Sequence, residues 1–162
     1  KISKILQSFK KKWLLFCPYR WVWCRKGYDK LELASKVKPK SYISLQTVLQ
    51  KEWVIFQDRS NTVTLVSDNS VNKQIETLSI EIHKITKLLL TNPIWIINTG
   101  IYQIASLERA VCDILYLDHN FYFDNPSILD VRKLQELSKI YNKATQKSIL
   151  SLISIINGNK NS

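Results

Sequence analysis

The run Gly100-Ile-Tyr-Gln-Ile-Ala-Ser-Leu-Glu-Arg-Ala-Val-Cys-Asp-Ile-Leu-Tyr-Leu117 contains a change of hydrophobic period. Ile101 to Ile104 is a short β-prone stretch, and after Ala105-Ser106 the apolar spacing becomes helical. Ser106 suits an N-cap, because its hydroxyl accepts a first-turn amide, and Glu108 suits the positive end of the helix dipole. Leu107, Ala110, Val111, Ile114 and Leu117 fall on one face, while Arg109 and Asp113 form an i,i+4 pair on another. A strand therefore feeds an amphipathic helix with one core face. The pair reads most simply as a surface salt bridge worth about a few tenths of a kcal/mol.

Towards the C-terminus, Asp118–Pro126 is a polar and aromatic loop. Ser127 and Asp130 then open a helix with the stripe Ile128, Val131, Leu134, Leu137 and Ile140. Residues 144–156 make another, with Ile149, Leu152, Ile153 and Ile156 on one side and Gly158 as its stop. Leu150 and Ile155 widen that apolar face, which fits either an oligomer contact or a seat for the N-terminal segment.

Towards the N-terminus, Val54–Phe56, Thr62–Val66 and Ser79–Ile85 have strand character, separated by Asp58-Arg-Ser-Asn61 and Ser67-Asp-Asn-Ser70. Lys87–Ile97 reads as a loop or short helical turn followed by a strand-like Ile94–Ile97. Ser44 is placed to cap a helix with Leu45, Val48 and Leu49 inward, and Asp29–Val37 is a shorter helix closed by Pro39. Residues 1–27 combine a short helix, Ile2–Phe9, with two apolar runs around Pro18 that can pair as a hairpin. The expected fold is α+β: a small, largely antiparallel sheet with about four to five helices, preceded by a reduced, winged-helix-like basic segment. The alternative for residues 1–27 is a basic hairpin that packs its tryptophans on the main domain.

The chain has 162 residues, 45% hydrophobic and 23% charged, which fits one domain with a real core and excludes a disordered chain. No apolar run approaches the roughly 18–20 residues of a membrane span, and no signal peptide is legible, so a cytoplasmic protein is expected. Three cysteines form no paired framework, and disulfides are not expected. The net charge of +11 is segregated: residues 1–40 hold 12 Lys/Arg against 2 Asp/Glu, and the remainder 12 against 11. That concentration points to an anionic partner for the front of the chain.

Two blocks resemble one family. Ile104-Ala-Ser-Leu-Glu-Arg-Ala-Val-Cys-Asp-Ile-Leu-Tyr-Leu117 is similar to the signature of the AbiEi antitoxins, a strand ending in Ile-Ala-Ser/Thr followed by a helix with Glu-(Lys/Arg)-Ala-x-x-Asp. Leu33-Ala-Ser-Lys-Val-Lys-Pro-Lys-Ser-Tyr-Ile-Ser-Leu-Gln-Thr-Val-Leu49 resembles a second block of that family, and the likeness spans roughly Tyr28 to Tyr141. Phe123-Asp124-Asn125 also looks like the family. Where the family usually ends the helix after this second block with Gly, the chain has Trp53. A bulky residue with positive φ costs about 1 kcal/mol or more, so either the helix ends differently or the chain departs from the pattern.

The resemblance implies a division into residues 1–27, what is left of a winged-helix DNA-binding domain, and residues 28–162, an AbiEi-like antitoxin domain. It implies an antitoxin of a type IV toxin–antitoxin module that also binds its own operator DNA as an autoregulator, opposite a nucleotidyltransferase-like toxin. Within the family block, Arg109 and Asp113 would hold the helix against a neighbouring strand. The rival class is a protein-interaction module without nucleic acid, with a homodimer as one use of the wide face of the last helix.

Convergent catalytic groups are few. His83 alternates with Ile80 and Ile82, which faces it to solvent. Asp118, His119 and Asp124 share one loop and read as solvated rather than catalytic. No metal-ligand spacing and no phosphate-cradling glycine loop is found, so neither catalytic residues, metal nor cofactor are assigned. The constellation left is Lys10, Lys11, Lys12, Arg20, Arg25 and Lys26, interleaved with Trp13, Tyr19, Trp21 and Trp23. These residue types neutralise phosphates and stack on bases. An acidic protein surface, or a solvated charge run without ligand, are the other readings.

Overall fold

The computed structural model describes residues 2–25 and 27–159. Among them are seven α-helices and two sheets, an α+β fold. Helix α1 (Ile2–Lys11) leads into a two-stranded hairpin, β1 (Phe16–Tyr19) and β2 (Val22–Cys24). The turn falls at Arg20-Trp21 and not at Pro18, which lies inside β1. Helix α2 (Lys30–Val37) follows, N-capped by Asp29 through Leu31 N–H.

The body is built on a six-stranded sheet of β3 (Tyr42–Ile43), β4 (Thr62–Ser67), β5 (Val71–Ile75), β6 (Leu78–Lys84), β7 (Ile96–Asn98) and β8 (Gln103–Ala105). Its order is β5-β6-β4-β3-β8-β7. After β4 the chain steps over one position to β5 and returns through a two-residue turn. β6 therefore fills the gap antiparallel to β5 and parallel to β4. Three of its ladders are antiparallel and two are parallel, β3 with β8 and the longest, β4 with β6. A strand with a neighbour on each side and its faces covered carries a continuous apolar pattern. Val63 to Ser67 are accordingly all buried, while β6 alternates Leu78, Ile80 and Ile82 inward with half-exposed Ser79, Glu81 and His83.

Helices α3 (Gln46–Lys51), α4 (Lys87–Thr91), α5 (Leu107–Leu117), α6 (Val131–Ser138) and α7 (Lys143–Asn159) complete the body. Helix α5 is central. Glu108 through Leu115 are all buried, because α3, α6, α7 and the sheet surround it, so it lacks the solvent face its periodicity suggested. Ser106 caps it through Arg109 N–H, and Asp130 caps α6.

Four further expectations are corrected. Val54–Phe56 is irregular rather than a strand, since its backbone turns to meet the 118–126 loop. Ser44 does not cap α3; Leu45 stands at that position, and the Thr64 hydroxyl from β4 accepts the Thr47 N–H instead. Gly158 lies within α7 and does not end it. The hairpin does not cover Leu150 and Ile155, which stay exposed; it packs beside α2, with Tyr19, Val22, Cys24 and Tyr28 against the core. Lys73 on edge strand β5 secures it by donating to the Tyr19 hydroxyl and lying over that ring.

Candidate nucleic-acid interface

Helix α1 has no buried residue, and Lys10, Lys11 and Lys12 at its C-terminal end are exposed, as are Arg20 and Arg25. Hairpin and helix bring Lys10 and Arg20 to one groove of about 560 Å³, together with Trp21 and Trp23. Lys10 and Lys11 share a second groove with Trp13. Arg25 is separated from them. It lines a groove of about 500 Å³ against α2, beside Asp29, Glu32 and Lys36. Lys26 lies outside the described residues.

Residues 1–28 contain no Asp or Glu, so the cations of the front have no carboxylate of their own segment beside them. Among the described residues, the ion pairs of lysines and arginines are Lys38–Asp68, Arg59–Glu81, Arg109–Asp113 and Lys133–Glu108, all within the body. Lys4, Lys10, Lys11, Lys12, Arg20 and Arg25 are in none of them. Unpaired exposed cations keep their full field and their counterions, which is the electrostatic requirement of a phosphate-facing surface.

The buried centre of the body is a closed polar network that the surface reading of Arg109 and Asp113 missed. Both side chains have zero exposure. Arg109 Nε donates to Asp113 Oδ1 at 3.2 Å, one terminal nitrogen to the Asn92 and Ile94 carbonyls, and the other to Tyr42 Oη at 2.9 Å and the Leu89 carbonyl at 2.7 Å. Five N–H groups thus have five acceptors. Asp113 in turn accepts from Tyr141 Oη at 2.6 Å on Oδ1, and from Tyr42 Oη at 2.9 Å and Ser44 Oγ at 2.8 Å on Oδ2. With no free donor on the guanidinium and four donors on the carboxylate, the network is suited to holding α5, β3, α4 and the α6–α7 connection together.

Its electrostatics agree. Burial opposes the Arg109 charge, but Asp113 and the two phenols outweigh it and raise the guanidinium further above its ordinary value. Burial, and then the Asp113 charge, push the Tyr42 and Tyr141 phenols far above theirs. Burial likewise raises the Cys112 thiol, which packs as a small hydrophobe. Tyr42, Ser44 and Tyr141 carried no sequence signal for this role except that Tyr42 and Ser44 stand in the Ser41-Tyr-Ile-Ser44 block.

Asp118, His119 and Asp124 are not brought to one another. Asp118 accepts from Asn120 N–H, the His119 ring bonds the Leu115 carbonyl at 2.8 Å, and Asp124 accepts from Phe56 N–H at 2.9 Å. With Asn125 N–H donating to the Val54 carbonyl and Phe123 buried, the Phe123-Asp124-Asn125 stretch serves as a clip between its loop and residues 54–56. Compared with models of known protein families and with curated proteins, the chain gives no match.

Proposed function

We propose that this chain is a cytoplasmic antitoxin of the AbiEi type, non-catalytic, which contacts DNA through residues 1–27 and opposes a nucleotidyltransferase-like toxin through residues 28–162. The observation that carries the DNA part is the charge arrangement: Lys10, Lys11, Lys12 and Arg20 stand exposed in a segment, residues 1–28, that contains no Asp or Glu. Helix α1 followed by a two-stranded hairpin supports the reading of this segment as the last helix and wing of a winged helix. The antitoxin part rests on the two sequence blocks. One of them supplies Arg109 and Asp113, and the other Tyr42 and Ser44, so both blocks meet in one network.

The test is a gel-shift titration with duplex from the chain's own promoter, paired with co-expression of the adjacent reading frame. A salt-sensitive shift and relief of growth arrest are expected. No shift at low salt, together with no relief, overturns the reading.

A second reading has its own observation. A groove of about 630 Å³ between α7 and the 118–126 loop, lined by Tyr122, Phe123, Lys147, Leu152 and Ile155, presents an apolar surface suited to a protein partner. A chain that dimerises through this face and leaves DNA unshifted would favour it.

A further inference from the structure

Four of the five tryptophans lie in left-handed backbone: Trp13 at φ 58°, Trp21 at 63°, Trp53 at 59° and Trp95 at 59°. Only about a few per cent of non-glycine residues adopt positive φ, and for a bulky side chain it is an outlier. Each of these sites is a place where chain geometry calls for glycine. Trp13 follows α1 in a paired helix stop: its N–H bonds the Lys10 carbonyl, and Leu14 N–H reaches back to Phe9. Trp53 repeats that arrangement after α3, bonding Gln50, with Val54 N–H on Leu49. Glycine is the usual residue at that position. Trp21 is the second residue of the two-residue hairpin turn between Tyr19 and Val22. Trp95 is the third residue of the turn that Ile96 N–H closes on the Pro93 carbonyl. Positive φ at that turn position again selects glycine.

Three of the four side chains bury too little to compensate. Trp13 is 91% exposed, Trp21 86% and Trp53 71%. Trp95 is half-buried against the core with Lys133 Nζ 5.2 Å from its ring centroid, yet its indole nitrogen is buried without an acceptor. No other residue type recurs in this way; the remaining positive-φ positions outside glycine are single Lys, Leu and Glu residues. Meanwhile the chain has 3 glycines, where average usage of about 7% would give about eleven. Trp23, in strand β2 and half-buried, is the exception and sits in ordinary extended backbone.

One codon connects the two amino acids: UGA, which some genetic codes read as tryptophan and others as glycine. We infer that codons 13, 21, 53 and 95 are UGA, and that the cell making this protein reads them as glycine. Trp23 is then the one tryptophan of the native chain, encoded by UGG. The helix stops and turns become unstrained, and the exposed indoles leave the cationic front. Contact with a polyanion there depends on Lys10, Lys11, Lys12 and Arg20, without base stacking by residues 13 or 21. This inference rests on backbone geometry and is independent of the proposed function.

The test is the gene sequence together with peptide mass spectrometry of the protein isolated from its own cells. UGA at the four codons, UGG at codon 23, and peptides carrying glycine at 13, 21, 53 and 95 are the expected result. UGG at any of the four codons, or a native peptide with tryptophan at any of those positions, overturns it.

Discussion

Asp113 Oδ1 sits 3.2 Å from Arg109 Nε, one helical turn away on α5, and neither side chain reaches solvent. At the surface such a pair contributes about a few tenths of a kcal/mol, whereas in the interior the loss of one partner strands the other as an uncompensated charge. Asp113→Ala is therefore expected to destabilise the fold by about 3–5 kcal/mol. Tyr141→Phe, which removes one hydrogen bond to the same carboxylate, should cost about 1.5–3 kcal/mol. Urea denaturation of both variants checks the ranking, and a cost below about 1 kcal/mol for Asp113→Ala would return the pair to the surface class.

The same network sets an alkaline limit. Burial and Asp113 raise the Tyr42 and Tyr141 phenols in the folded chain, while unfolded tyrosine ionises near pH ~10. A group whose folded pKa is raised contributes stability that is fully present below its unfolded pKa and is lost as pH rises beyond it. Stability should thus fall above pH ~10, with Tyr42 and Tyr141 ionising only as the chain unfolds. Phenolate absorbance followed alongside circular dichroism tests this; two phenols that titrate late and together with loss of structure are expected.

Backbone strain at Trp53 gives a stability prediction that does not depend on the codon. The residue closes α3 with φ 59° and an exposed ring, so Trp53→Gly removes a left-handed penalty at little cost in packing. A gain of about 1 kcal/mol in urea denaturation is expected. Trp23→Gly, in half-buried strand β2, should move the other way.

Much of the scaffold was legible because its signals are local. Capping by Asp29, Ser106 and Asp130, the alternation in β6 and the apolar stripe of α7 each follow from a few neighbouring residues. What escaped depends on contacts distant in sequence. Strand β3 has two residues and exists because β4 and β8 flank it. Strand β5 carries Asn72, Lys73 and Gln74 and is held by its turn to β6. The i,i+4 spacing of Arg109 and Asp113 is the same for a surface pair and a buried one, and only the approach of Tyr42, Ser44 and Tyr141 separates them. At the front, the sequence put six cations in one cluster. The fold unites Lys10 with Arg20 and with Lys11, and sends Arg25 to a groove shared with Asp29 and Glu32.

The most direct test of the polyanion-facing front is the salt dependence of duplex DNA binding by the intact chain and by a Lys10→Gln, Lys11→Gln, Lys12→Gln, Arg20→Gln variant. Each phosphate contact contributes about 0.9 to the slope of log affinity against log salt. The variant is expected to bind more weakly, with a slope shallower by about two to four. An unchanged slope would contradict the account.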